Sequence, residues 1–301
     1  MSFLKKILKK PYIFACNVNS VFCPKSRSKH LYKKMIGKKC NLNNPSTLNE
    51  KLMYYKLNLY WKNQLVNDCA DKYKVREFVS KNGLVDILNP IYGCWDSPDE
   101  IDWDNLPNQF VLKLNFGSGF NFVCREKKSL NIKEVTKMFK KWMKVHYGIF
   151  TAEQGIYSKI DKKIIAEKYI NTFDNTPPND YKFFCSYGEV KFLFVATDRY
   201  EGKTKFDYYL PDWTWLDVKN CHPNKGLIEK PKNYDLMLSY ASKLSKQFPL
   251  VRVDFYNIDG QIIFGEMTFT HFGCVHPFDP ESYDLKFGSM LPDVKEANFI
   301  K

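Results

Sequence analysis

The first 49 residues contain no acidic side chain; Glu50 is the first. No apolar run reaches the roughly 18 residues that a membrane-spanning helix needs. The start of the chain has no continuous hydrophobic stretch either, because lysines interrupt it, which argues against a signal peptide. Nine cysteines are present, at positions 16, 23, 40, 69, 94, 124, 185, 221 and 274, yet none form a CxxC pair. An odd, scattered set of this kind excludes the paired-cysteine zinc motifs and suits reduced thiols in the cytoplasm. Internal repeats and low-complexity linkers are also missing, which excludes a solenoid.

What is there is a chain of 301 residues, 44% hydrophobic, 26% charged and 16% aromatic. That composition belongs to a folded protein with a sizeable core, not to a disordered chain. The formal net charge of +13 is unevenly placed. Eleven lysines and arginines fall in the first 39 residues, while the other 262 carry 35 basic against 33 acidic side chains. A nucleic-acid partner needs basic residues across a body surface, and this body is nearly neutral, so no nucleic acid is expected. Within the basic arm, Phe3, Leu4, Ile7 and Leu8 alternate at helical spacing with Lys5, Lys6, Lys9 and Lys10 before Pro11. Residues 2–10 therefore read either as a helix packed on the body or as a peripheral membrane contact on an anionic bilayer.

Further along, "NPSTLNEKLMYYKLNLY" predicts a helix capped near Ser46 or Thr47. "CADKYKVREFVSKNG" predicts a single helix capped by Asn67-Asp68 and ended by Gly83; turn-rich sequence follows through Pro107. "QFVLKLNFGSGFNFVCRE" reads as strand, glycine loop, strand. "NIKEVTKMFKKWMKVHYG" is an amphipathic helix and "KKIIAEKYI" a strand. "DYKFFCSYGEVKFLFVATDR" is a hairpin turning at Tyr187-Gly188. "NYDLMLSYASKLSKQF" is a helix with Leu236, Leu238, Ala241, Leu244 and Phe248 available to pack. "LVRVDFYNIDGQIIFGEMTF" is a hairpin around Asp259-Gly260. Helices interspersed with hairpins predict an α+β fold with largely antiparallel sheets.

Three groups of residues carry chemistry. Lys113 precedes Gly117-Ser118-Gly119, so an ammonium and freely bending backbone N–H groups can surround phosphates; no GK[ST] follows, so this is not a Walker A motif. In the last hairpin Arg252 and Asp254 share one strand face, and Glu266 and Thr268 share a face of the return strand. Counting from the turn puts Glu266 opposite Arg252 and diagonal to Asp254. Two carboxylates between apolar strands need a compensating cation, either Arg252 or bound Mg²⁺. Third, Glu167 ends a strand, and Asp180 and Lys182 share a face of the next.

In this order and spacing, "DKYKVREFV", "LPNQFVLKLNFGSG", "KIIAEKYI", "NDYKFFCSYGEV", "LVRVDFY" and "FGEMTFTHFGC" resemble the ATP-grasp superfamily, and most of all its TupA-like branch, associated with teichuronopeptide and other cell-surface polysaccharides. The resemblance runs from about residue 68 to 288. It implies two α+β subdomains gripping ATP behind a basic, mostly helical segment, with boundaries at 1–67, 68–166 and 167–301. It implies that Lys113 contacts nucleotide phosphates under a loop of Gly117, Ser118 and Gly119. By the same resemblance Glu167, Lys168, Tyr169 and Ile170 form the adenine hinge, and Asp180 meets the ribose or the adjacent substrate. Lys182, Arg199 and Arg252 become the catalytic cations around the transferred phosphate. Asp254 and Glu266 become Mg²⁺ ligands, with Thr268 where many relatives carry an asparagine. The implied activity is an ATP-dependent carboxylate-amine ligase acting through an acyl phosphate. Its partners would be a carboxylate-bearing glycan or sugar precursor and an amine. Its implied location is the cytoplasm, at the inner face of the membrane if the basic arm docks there.

A glycosyltransferase is the rival, through the DxD triplet Asp102-Trp103-Asp104. Trp213 and Trp215 can stack on sugar rings or pack in the core. His271 and His276 follow the last hairpin and can touch an acceptor amine, but an isolated histidine is more often structural.

Overall fold

The computed structural model describes residues 18–172, 176–199 and 202–300. In chain order its main elements are α1 (Pro24–Ile36), α2 (Leu48–Asn58), α3 (Gln64–Ala70), α4 (Val75–Lys81), β1 (Ile91–Trp95), β2 (Phe110–Leu114), β3 (Asn121–Cys124), α5 (Ile132–Met143), α6 (Gln154–Tyr157) and β4 (Ile164–Lys168). Then come β5 (Asp180–Ser186), β6 (Glu189–Thr197), β7 (Lys205–Tyr209), β8 (Trp215–Leu216), α7 (Tyr234–Ser245), β9 (Val251–Ile258), β10 (Gln261–Thr268) and α8 (Ser282–Ser289). The strands form two wholly antiparallel sheets, ordered β1-β4-β2-β3 and β10-β9-β5-β6-β7-β8. The fold is α+β. Among the described residues no helix is long and apolar enough to cross a membrane. The amphipathic reading of residues 2–10 lies outside the described residues.

Local chemistry sets the boundaries. Thr47 caps α2 by accepting the Glu50 N–H, and the Glu50 carboxylate accepts from the Thr47 backbone, a complete capping box. The helix expected over residues 69–83 is instead two. Asn63 caps α3, and Asp71 leaves helical geometry and accepts the N–H groups of Tyr73 and Lys74, starting α4. A short carboxylate competing for backbone donors breaks the run. Asn67, expected as a cap, lies inside α3 and donates to the carbonyls of Gly155 and Ile156. In the turn-rich stretch β1 pairs with β4, a strand that the period alone does not reveal. Tyr187 (φ 48°) and Gly188 (φ 83°), and Asp259 (φ 50°) and Gly260 (φ 96°), make the two hairpin turns. On α7 the buried side is Tyr234, Met237, Ala241 and Leu244, while Leu236 is exposed.

One core runs through both ends of the chain. Leu48, Leu52, Met53 and Tyr55 of α2 are buried, and α2 packs on α8 and on the turn His271–Cys274. Gly288 makes that contact. A Cβ there would sit 2.1 Å from the Ser46 carbonyl oxygen and 2.6 Å from the Thr47 carbonyl carbon. Backbone cannot yield as a side chain can, so Gly288→Ala is expected to cost about 3 kcal/mol. Urea denaturation checks it; an unchanged midpoint would show that the helices slide apart freely.

Candidate active site

Lys113, the glycine loop and the charged residues of the last two hairpins named in the sequence line one cleft of about 660 Å³ between the two sheets. Its floor comes from the six-stranded sheet. Lys182 on β5 is registered opposite Asp254 on β9, and Asp254 opposite Glu266 on β10. Side chains in such a row share a face. This corrects the turn-counted register. Glu266 faces Asp254, and it is Thr268 that faces Arg252. A bulge at Gly265, between Phe264 and Glu266, shifts the pairing by one. The absence of a side chain there matters, since a Cβ would stand 3.1 Å from the Asp254 carbonyl oxygen.

Arg252 ties the floor together. Its Nε and Nη2 donate to the two Asp254 oxygens, both at 2.7 Å, and Nη2 also reaches Glu266 Oε1 and Thr268 Oγ1 at 2.9 Å. Nη1 lies 2.7 Å from His271 Nδ1. A guanidinium has no acceptor, so Nδ1 must accept and the proton sits on Nε2. Burial and the Arg252 charge push the His271 pKa well below the usual histidine range, so the ring stays neutral. Lys182 bridges Asp180 at 2.6 Å and Asp254 at 2.5 Å, and Arg199 meets Asp180 at 3.0 Å.

Burial raises the pKa of Asp254 despite Arg252 and Lys182. At Glu266 burial also disfavours the charge, but Lys72, Arg252 and Lys182 outweigh it and hold the carboxyl at about 2. The cleft thus keeps Glu266 ionised. Lys72 was not among the residues read from the sequence. Its Nζ donates to the Gly117 carbonyl at 2.5 Å and lies 3.8 Å from Glu266 Oε2, linking the glycine loop to the floor. The lysine sits in the quoted stretch "DKYKVREFV", but only the break at Asp71 aims it inward.

The opposite wall carries Lys113 and the loop. Gly117 (φ 69°) and Gly119 (φ 82°) are left-handed, and a Cβ on Gly117 would fall 2.7 Å from the Tyr147 ring. Gly117, Ser118, Gly119 and Lys113 all line the cleft. Lys113 pairs with Glu167 at 2.7 Å, and Asn89 donates to the same Glu167 oxygen at 3.3 Å. Lys168, Tyr169 and Ile170 are not brought to this cleft. They line a second cavity of about 350 Å³ with Leu88, Ile258 and Ile263. Glu167 links the two: it pairs with Lys113, which lines the cleft, and accepts from Asn89, which lines the second cavity.

A second residue missed by the sequence reading is Glu153. It is buried, lines the cleft, and accepts from Thr151 Oγ1. Other candidates resolve as structure. Asp102 accepts from the Asn105 side chain at 2.7 Å and its N–H at 3.3 Å, an exposed turn that contributes nothing to the cleft. Trp213 stacks on Tyr209 at 4.4 Å and donates to the Ile228 carbonyl. Among the described residues no three His, Cys, Asp or Glu side chains converge as a metal cluster.

The family model described as TupA-like ATPgrasp matches residues 50–292. No curated protein matches the chain. Among solved structures, D-alanine–D-alanine ligase from Bacillus anthracis complexed with ATP is similar at 15% identity and a TM-score of 0.38, over 67% of this chain and 55% of that one. N5-carboxyaminoimidazole synthetase from Staphylococcus aureus complexed with ADP is similar at 14% identity and 0.40, over 66% and 44%. D-alanine–D-alanine ligase from Helicobacter pylori is similar at 13% identity and 0.40, over 75% and 59%. The chain therefore spans roughly half the length of these proteins. With the family model covering most of its length, the chain belongs to the TupA-like ATP-grasp family.

Proposed function

We propose that this cleft binds ATP and joins a carboxylate to an amine, the carboxylate being a uronic acid or similar group on a cell-surface polysaccharide or its precursor. The observation that carries the reading is the convergence of Lys182, Arg199 and Arg252 on the buried Asp180 and Asp254, facing Lys113 and a left-handed glycine loop. Phosphoryl transfer rests on positioning and charge stabilisation more than on a protein nucleophile, and this cleft is built of charges. The triphosphate would lie between Lys113 with its loop and the three cations. The cavity beside Tyr169 and Ile170, lined by Leu88, Ile258 and Ile263 together with the polar Asn89, Asn171 and Gln261, suits the adenine.

In the reaction a substrate carboxylate oxygen attacks the γ-phosphorus and ADP leaves. The amine nitrogen then bonds to the acyl carbon, phosphate departs, and the nitrogen loses a proton. Arg252 and Lys182 stabilise the developing charge, and Arg199 holds the carboxylate side. Asp254 and Glu266 suit Mg²⁺, which takes one or two carboxylates and completes its shell with phosphate oxygens and water. When bound it would neutralise phosphate charge. Thr268 offers only a hydroxyl, a weaker donor than an amide carbonyl.

The test is ADP release from Mg-ATP with a panel of uronic-acid glycans and a panel of amines. Release that needs both partners supports the ligase; transfer from a nucleotide sugar without ATP would overturn it. Lys113→Ala is expected to raise the KM for ATP about 100-fold, because a phosphate contact is lost and Glu167 is left without its cation. An unchanged KM would remove Lys113 from the nucleotide site.

A further inference from the structure

The surface around α1 takes no part in the reading above. Val18, Val21 and Phe22 are 41%, 49% and 78% exposed. Helical hydrogen bonds carry this stretch into α1 across Cys23, whose N–H donates to Asn19 while its carbonyl accepts from Arg27. Lys25, Lys29 and Lys33 then follow at four-residue spacing, all exposed, while Arg27, Leu31 and Tyr32 face inward. No acidic residue lies anywhere in this part of the chain. The segment is fixed to the rim of the cleft. Ser20 Oγ donates to the Ile149 carbonyl and Arg27 Nε to that of Phe150, with the guanidinium 4.6 Å from the Phe150 ring. Phe150 and Val145 line the cleft and are themselves 48% and 38% exposed.

We infer that this face docks on an anionic lipid surface, with Val18, Val21, Phe22 and Phe150 entering the interface and Lys25, Lys29 and Lys33 meeting headgroup phosphates. Exposed apolar side chains beside a lysine row are the two components of interfacial binding. A nucleic acid would satisfy the lysines but offers no medium for Phe22 and Val21. Docking in this orientation turns the mouth of the cleft toward the bilayer.

The test is co-sedimentation of the full chain with phosphatidylcholine vesicles and with vesicles holding about one third phosphatidylglycerol. Binding is expected only to the second. The triple variant Lys25→Gln, Lys29→Gln, Lys33→Gln should lose about tenfold or more of it. Phe22→Ser should lose binding and make the remainder more salt-sensitive. These positions are exposed, and unchanged circular dichroism would show that the fold is kept. Equal binding to both vesicle types, no binding to either, wild-type binding by the triple variant, or tighter binding to duplex DNA would each overturn the inference.

Discussion

Arg252→Ala is expected to lower ADP formation by about 10³-fold and to destabilise the protein by about 3 kcal/mol. Both effects come from one guanidinium. It makes a two-point contact with Asp254 and single contacts with Glu266, Thr268 and His271. Its loss leaves Asp254 buried with Lys182 alone, while Glu266 keeps the distant Lys72 and the Thr268 hydroxyl. The remaining cations hold the stability loss to the lower end of what a broken buried pair costs. Turnover has no such reserve, because the charge that develops on the transferred phosphoryl loses its best-placed donor. Arg252→Lys separates the two effects. A lysine restores charge but, with its three donors on one atom, cannot span the four partners of the guanidinium, so stability should recover more than turnover. Full turnover in Arg252→Lys would show that only the net charge matters.

The sequence and the structure part at definable points. The helix cap at Thr47 and the hairpin turns at 187–188 and 259–260 follow from local chemistry, and local chemistry was legible. The pairing of Lys182, Asp254 and Glu266 was not, because one bulged residue at Gly265 moves the whole return strand by a register. A two-residue period gives the face of a strand but not its neighbour's register. Strand β1 was hidden because "IYGCW" is five residues with a glycine at its centre and pairs with a strand more than sixty residues away. Lys72 and Glu153 were hidden for a different reason. Nothing in their neighbours marks them, and only tertiary packing turns them into the cleft.

Asp254→Asn should separate nucleotide binding from turnover. Around the floor stand four cations, Lys72, Lys182, Arg199 and Arg252, and three carboxylates, Asp180, Asp254 and Glu266. Asparagine keeps the shape of Asp254 and removes one negative charge from that set. The more positive cleft should hold the ATP phosphates at least as well when no divalent ion is present. The variant would nevertheless lose one of the two carboxylates suited to Mg²⁺, so turnover should fall by about 10³-fold. The fold should lose about 3 kcal/mol, since Asp254 is 1% exposed and two cations lean on it. Lys182 still has Asp180, and Arg252 still has Glu266, which keeps the protein folded. Calorimetric titration with ATP, with and without Mg²⁺, reads the binding directly. In the wild type Mg²⁺ should tighten it, and in Asp254→Asn that gain should shrink by about tenfold or more. An undiminished gain would take Asp254 out of the metal site and leave it as the structural partner of Arg252.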